Sequence, residues 1–105
     1  MSKRLAFLEK TTADGSTDPL AWYGLALEYA GLDRLDEALA TFVKLREMNG
    51  RYVPMYLMAG QVLAKAGRVA EARAWLEQGV GEARGQGNTH ALGEMQEALA
   101  SLGAG

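Results

Sequence analysis

The side chains most suited to chemistry stand near the end of the chain: His90, the only histidine, followed by Glu94 and Glu97. Glu94 and Glu97 lie three residues apart, the spacing of neighbours on one helix, and a carboxylate pair can share acid and base roles. An imidazole can move protons or ligate a metal. Neither chemistry finds the company it needs. The chain has no cysteine and no second histidine to share an ion with His90. No apolar cleft is legible around the two glutamates, so they read as the solvated face of a terminal helix. No glycine-rich phosphate loop follows a strand, and no stretch reads as a strand. The five methionines, Met55, Met58 and Met95 among them, read as core filler. The expectation is therefore a protein with no catalytic residues, no metal site and no cofactor.

Composition narrows the class further. The chain has 105 residues, the size of one domain, and 49% of them are hydrophobic, enough for a packed core. The formal net charge is −2 with no long run of one sign, which argues against nucleic acid, whose phosphates need clustered Lys and Arg. Absence of cysteine excludes disulfide and thiol chemistry and fits a reducing compartment. Residues 1–8 are basic and then apolar, but Glu9 and Lys10 end the apolar run too early for a signal sequence. No window has the length of a membrane span, so the expected location is cytoplasmic.

The elements that must position these side chains are all helical. Residues 2–13 read as a first helix with Leu5, Phe7 and Leu8 on its apolar face, and Asp14–Thr17 as a turn. Asp18–Pro19 is a helix start: the aspartate caps free amides, and proline suits the first helical position. The helix from Pro19 to about Gly31 carries two apolar rows, Trp22, Leu25, Ala26, Tyr29 and Leu20, Tyr23, Leu27, Ala30, with Glu28 its only charge. A helix apolar nearly all round is covered on more than one side. The next, about 35–48, is amphipathic through Leu35, Ala38, Leu39, Phe42 and Leu45, and Asn49–Gly50 offers a left-handed stop. A charge-free helix from Val53 to Ala64, ended at Gly67, and an amphipathic one from about 69 to 84 repeat this contrast. Gly79 and Gly81 each cost the latter roughly 1 kcal/mol relative to Ala, so its end should fray or bend unless a neighbour packs closely there. Gly85–Gly87 reads as a turn, and Asn88 or Thr89 as the cap of a last helix, 88–102, with the stripe Leu92, Met95, Leu99, Leu102. Residues 103–105 should be loose.

Two of these helix pairs are copies. Arg34–Ala40 returns at Arg68–Ala74 with four of seven positions identical, an offset of 34 residues. At the same offset Trp22 maps onto Tyr56, Leu25 onto Ala59, Ala26 onto Gly60, Tyr29 onto Leu63 and Phe42 onto Leu76. A fixed period in this range marks a stacked repeat architecture. Carried once more, the offset places His90, Glu94 and Glu97 where Tyr56, Gly60 and Leu63 stand, so the last helix keeps an inward stripe and turns polar outside, as a terminal cap must.

The pattern of aromatic, apolar and small residues resembles the tetratricopeptide repeat family, in the form of a short bacterial-type stand-alone protein. Trp22, Leu25, Ala26, Tyr29, Ala38 and Phe42 fill the signature in one copy, and Tyr56, Ala59, Gly60, Leu63, Ala72 and Leu76 in the next. The match departs from the family at the later small position (Leu45, Gly79) and at the closing proline (Gly50, Arg84). The resemblance implies an all-α fold, a right-handed superhelix of antiparallel helix pairs with about six helices. It divides a single domain, 1–105, into a flanking helix at 2–13, repeats at 19–52 and 53–86, and a cap at 88–102.

The resemblance also implies a role. First helices of such pairs line a concave groove: Leu20, Tyr23, Leu27, Ala30 and Gly31 in one copy, Pro54, Leu57, Gln61, Ala64 and Lys65 in the other. Chaperone-binding members hold a terminal carboxylate there with Lys and Asn. Tyr23, Leu27, Pro54 and Met58 occupy the matching places here, so that activity does not carry over. The expectation is a non-catalytic module taking a peptide or helix of a protein partner into a mainly apolar groove. The alternative is a self-assembling structural protein using the same surface between copies.

Overall fold

In a computed structural model describing residues 2–103, the chain folds into α1 (Lys3–Ala13), α2 (Pro19–Gly31), α3 (Leu35–Met48), α4 (Val53–Lys65), α5 (Val69–Gln86) and α6 (Thr89–Ser101). Among the described residues there is no strand, and the fold is all-α. Of the expected loose tail, Ala104 and Gly105 fall outside the described residues. Two compact units divide at Gly50 and Arg51.

Local chemistry sets the helix ends. Asp18 Oδ1 accepts from Leu20 N at 3.0 Å ahead of Pro19, and Asn88 Oδ1 accepts from Ala91 N at 3.1 Å. The turns leaving α2 and α4 share one bonding pattern. Arg34 N bonds to Tyr29 O and Arg68 N to Leu63 O, each at 2.9 Å, while Asp33 N bonds to Ala30 O and Gly67 N to Ala64 O. This six-to-one, five-to-two pairing satisfies the last carbonyls and requires a left-handed residue between. Gly67 supplies it at φ 81°, and Asp33 at φ 59° is the one non-glycine in that region among the described residues. The left-handed stop expected at Asn49–Gly50 does not form. Asn49 sits at φ −154°, and its N–H closes the helix on Leu45 O at 2.7 Å.

In the first unit α1 packs on α2 and α2 on α3. Leu5, Leu8, Leu25, Tyr29 and Ala38 form the apolar cluster, with Ala30 packed against it. Phe7 departs from the face expected for α1 and is 68% exposed. Buried Leu5, Leu8 and Thr12 trace the i, i+3, i+7 stripe, and Phe7, two residues from Leu5, points the other way. Polar contacts pin both ends of α1. Arg4 pairs with Glu28 at 3.3 Å, Ser2 Oγ donates to Glu28 Oε2 at 3.3 Å, and the buried Tyr29 phenol donates to Glu9 Oε2 at 2.6 Å.

In the second unit α4, α5 and α6 pack mutually. Tyr56, Leu63, Leu76, Ala72 and Met95 are almost fully buried, and the Tyr56 and Trp75 rings lie 6.0 Å apart, tilted by 50°. The glycines of this unit divide by environment. A Cβ on Gly60 would stand 2.5 Å from Leu76 Cγ, and one on Gly79 would press into Met95 Sδ and stand 2.5 Å from Tyr56 Cβ. Gly81 and Gly85 face open space. Met95 and Tyr56 pack closely at Gly79, as the helical course of α5 was expected to need, and the helix runs unbroken through Gly81 and Gly85. The turn expected over 85–87 shrinks to Gly87 alone, at φ 68°.

Candidate functional site

The extended α5 resets the register of α6. α3 has 14 residues and a four-residue connection after it, α5 has 18 and a two-residue connection, so α6 begins 36 residues after α4 although α4 begins 34 after α2. Two extra residues rotate a helix by about 200° relative to the simple repeat offset. Met95 reaches the core, as the inward stripe read from the sequence expects, and Glu94 and Glu97 stand outside it. Leu92, Leu99 and Leu102 are half-buried beside it.

The two glutamates of α6 stand at a cleft. Leu57 and Gln61 of α4 face Glu94, Glu97, Ala98 and Ser101 of α6 across an open depression. It continues through Gln61, Ala98 and Ser101 into a larger hollow of about 400 Å³ lined also by Gly60, Ala64, Val69, Leu76 and Leu102. Gly60 and Leu76 are both buried, and the missing side chain of Gly60 is what lets α5 approach so closely beneath the hollow. Glu94 and Glu97 are both exposed, as a solvated face expects, and the open depression they border has a mainly polar lining, while the apolar part of the cleft is the adjoining hollow over Gly60 and Leu76.

His90 stays outside it. Its Nε2 lies 3.3 Å from Glu94 Oε1, an ion pair when the imidazole is protonated, and its side chain is largely exposed. Among the described residues no three His, Cys, Asp or Glu side chains converge as a metal site would require. No described helix is long and apolar enough to cross a membrane.

The groove residues expected from the sequence divide between the two units. On α2, Tyr23, Leu27 and Ala30 are half-buried, Leu20 is 64% exposed and Gly31 is exposed. On α4, Leu57 and Ala64 are half-buried and Gln61 is exposed, and these three border the cleft. Pro54 and Lys65 are exposed and do not line it. The sequence placed Leu102 on an inward stripe but did not mark Ala98 and Ser101 as the wall opposite α4.

Electrostatics sharpen two other places. Burial, then the bond to Glu9, pushes the Tyr29 phenol up to about 12. Its ring also carries the Arg34 guanidinium 4.9 Å from its centroid. Arg34 Nε and Nη2 donate to both oxygens of Glu37 at 2.5 and 2.7 Å, and Arg68 grips Glu71 in the same fashion. These bonds hold the Glu37 and Glu71 carboxyls below the usual carboxylate range. Both pairs fix the start of a second helix, a structural use.

Helix pairs with a 34-residue period, matching turns and a first-helix face bordering a cleft define a class, and the comparisons name it. The tetratricopeptide repeat family model matches residues 29–95, and the chain belongs to that family. A crystal structure of a tetratricopeptide repeat domain protein from Salinibacter ruber is 33% identical, over 81% of this chain and 94% of that one, with a TM-score of 0.72. A solution structure of such a domain from the same organism is 32% identical over 82% and 87%, with a TM-score of 0.77. A solution structure of a Bordetella parapertussis protein is 26% identical over 97% and 89%, with a TM-score of 0.82. No protein with a curated description matches the chain. The tetratricopeptide repeat fold makes a protein–protein interaction module the general class of function.

Proposed function

We propose that the chain binds a peptide or helix of a partner protein on the first-helix faces of its repeats, without catalysing a reaction. The observation that carries this reading is the cleft beside α4. Its Leu57, Gln61 and Ala64 remain accessible above a floor of Gly60 and Leu76 instead of being closed over by α6. Hollows that are apolar with a few polar groups at the rim suit an inserted side chain from a partner. Leu20, Tyr23, Leu27 and Ala30 supply the corresponding face on α2, and Lys65 a cation at the end of α4.

The test is the double variant Leu27→Glu with Leu57→Glu, used as immobilised bait against lysate of the source organism. A protein retained by the wild type and lost by a variant of unchanged helicity supports the reading. Equal retention by both overturns it, and an unfolded variant assigns these residues to the core. Light scattering runs alongside, with a monomer expected. An oligomer that the variant reduces to monomer mass would transfer the surface to contacts between copies.

A further inference from the structure

The proposed cleft has a chemical asymmetry. Every charged residue lining it is a glutamate, Glu94 and Glu97, and both stand on the α6 wall opposite Leu57 and Gln61. Neither carboxylate is matched by a cation held within the cleft. Glu94 has only His90, whose side chain is 88% exposed, and Glu97 forms no ion pair among the described residues. Arg73 is engaged elsewhere: it donates through Nη2 to Gly103 O at 3.3 Å and does not line the hollow.

Filling this cleft has consequences that depend on the occupant's charge. A purely apolar segment would strip water from the two carboxylates and offer nothing in return, and burying a polar or charged group unpaired is costly. An acidic segment would add like-charge repulsion, and the same repulsion disfavours phosphate-bearing ligands. A lysine or arginine satisfies both walls. Its methylene stem lies along Leu57 and Ala98, and its head reaches the carboxylates at the rim. We propose that the partner segment bound in the α4–α6 cleft carries a cationic side chain beside its apolar anchor, with the anchor in the hollow over Gly60 and Leu76 and the cation against Glu94 and Glu97. This rests on the groove reading above and specifies its ligand as a basic, amphipathic peptide.

The experiment uses the full chain and three fluorescent helical peptides of about 15 residues, identical except for Lys, Gln or Glu beside a fixed apolar anchor. Affinities are read by anisotropy at low and physiological salt. The Lys peptide is expected to bind roughly fivefold tighter than the Gln peptide, with the Glu peptide weakest and the spread narrowing as salt rises. Glu94→Gln with Glu97→Gln abolishes the preference, and Glu94→Lys with Glu97→Lys reverses it, while helicity and melting stay unchanged because both positions are exposed. Three peptides that bind alike and are all lost in Leu57→Glu leave the groove reading standing and overturn the charge assignment. No binding by any peptide overturns both. A wild-type chain that self-associates until Phe7→Glu disperses it would make a second copy the occupant and overturn the proposal.

Discussion

Tyr29 and Leu63 occupy the same place in successive repeats, 34 residues apart, and the two units are closed around them in different ways. In the first unit the flanking helix α1 is drawn onto α2 by polar bonds, from Tyr29 to Glu9 and from Ser2 and Arg4 to Glu28, around a small apolar cluster. In the second, Leu63 lies in an apolar interior, and α6 is seated where Gly79 lets Met95 and Tyr56 come together. One flank is held by groups that titrate, the other by the absence of side chains. The first unit should therefore respond to pH, and the second to small changes in volume. Trp22 lies in one unit and Trp75 in the other, so variants keeping a single tryptophan report each separately.

The largest effects belong to the second unit. Gly79→Ala is expected to destabilise it by about 1–3 kcal/mol, because the clashing Tyr56 Cβ is tied to the backbone and cannot swing away. Gly81→Ala, two residues on and facing open space, should instead stabilise by roughly 0.5–1 kcal/mol. Denaturation followed at Trp75 measures both. Equal effects at the two positions would show that α6 does not seat on Gly79.

Small residues test what the units share. Ala38 and Ala72 are fully buried at equivalent places, so leucine at either should cost about 1–3 kcal/mol in its own unit. Ala70 is exposed, and Ala70→Leu should cost little. Urea midpoints ranking Ala70→Leu as the most damaging of the three would contradict the register common to both repeats.

Alkaline pH probes the polar side of the comparison. The phenol of Tyr29 ionises near 10 in the unfolded chain and near 12 in the folded one. Between those values the unfolded chain binds fewer protons, so stability is whole below pH 10 and is lost as pH rises toward 12. The loss registered at Trp22 is expected to be on the order of 1–3 kcal/mol. Tyr29→Phe should remove this component of the alkaline loss and cost about 1 kcal/mol at neutral pH through the missing hydrogen bond. Indistinguishable alkaline profiles for wild type and variant would rule out the Tyr29–Glu9 bond as the clasp on α1.

The smallest effects lie in the matching turns. Gly67→Ala should cost about 1 kcal/mol, since alanine resists φ 81°. Asp33→Gly should gain a few tenths of a kcal/mol by relieving φ 59°. Thermal melts of the two variants that move in the same direction would break the equivalence of these turns.

Much of this was legible in the residues. Asp18–Pro19, Gly67 and Asn88 announce helix ends through bonds within a few positions of themselves, and the 34-residue echo from Trp22 to Leu76 fixes which helices pair. Helix periodicity separated Leu5 and Leu8 as core, but a short apolar run could not tell that Phe7 turns outward. α2 closes on a left-handed Asp33, where the turn geometry shared with Gly67 outweighs residue preference, whereas α3 ends at Asn49 without a left-handed residue.

What the sequence by itself determined is the all-helical repeat, most of its helix starts and the buried positions of each pair, since capping, periodicity and side-chain size act locally. Only the tertiary structure decided which glycines are contacts and which are empty, as Gly79 and Gly81 show, because that depends on a partner helix distant in sequence. It also decided the placement of α6. Tyr56 and Met95 meet at Gly79, α5 runs as far as Gln86, and Glu94 and Glu97 stand across an open depression from Leu57 and Gln61 of α4. A rotation of about 200° per two residues is invisible to an offset that assumes every helix has equal length.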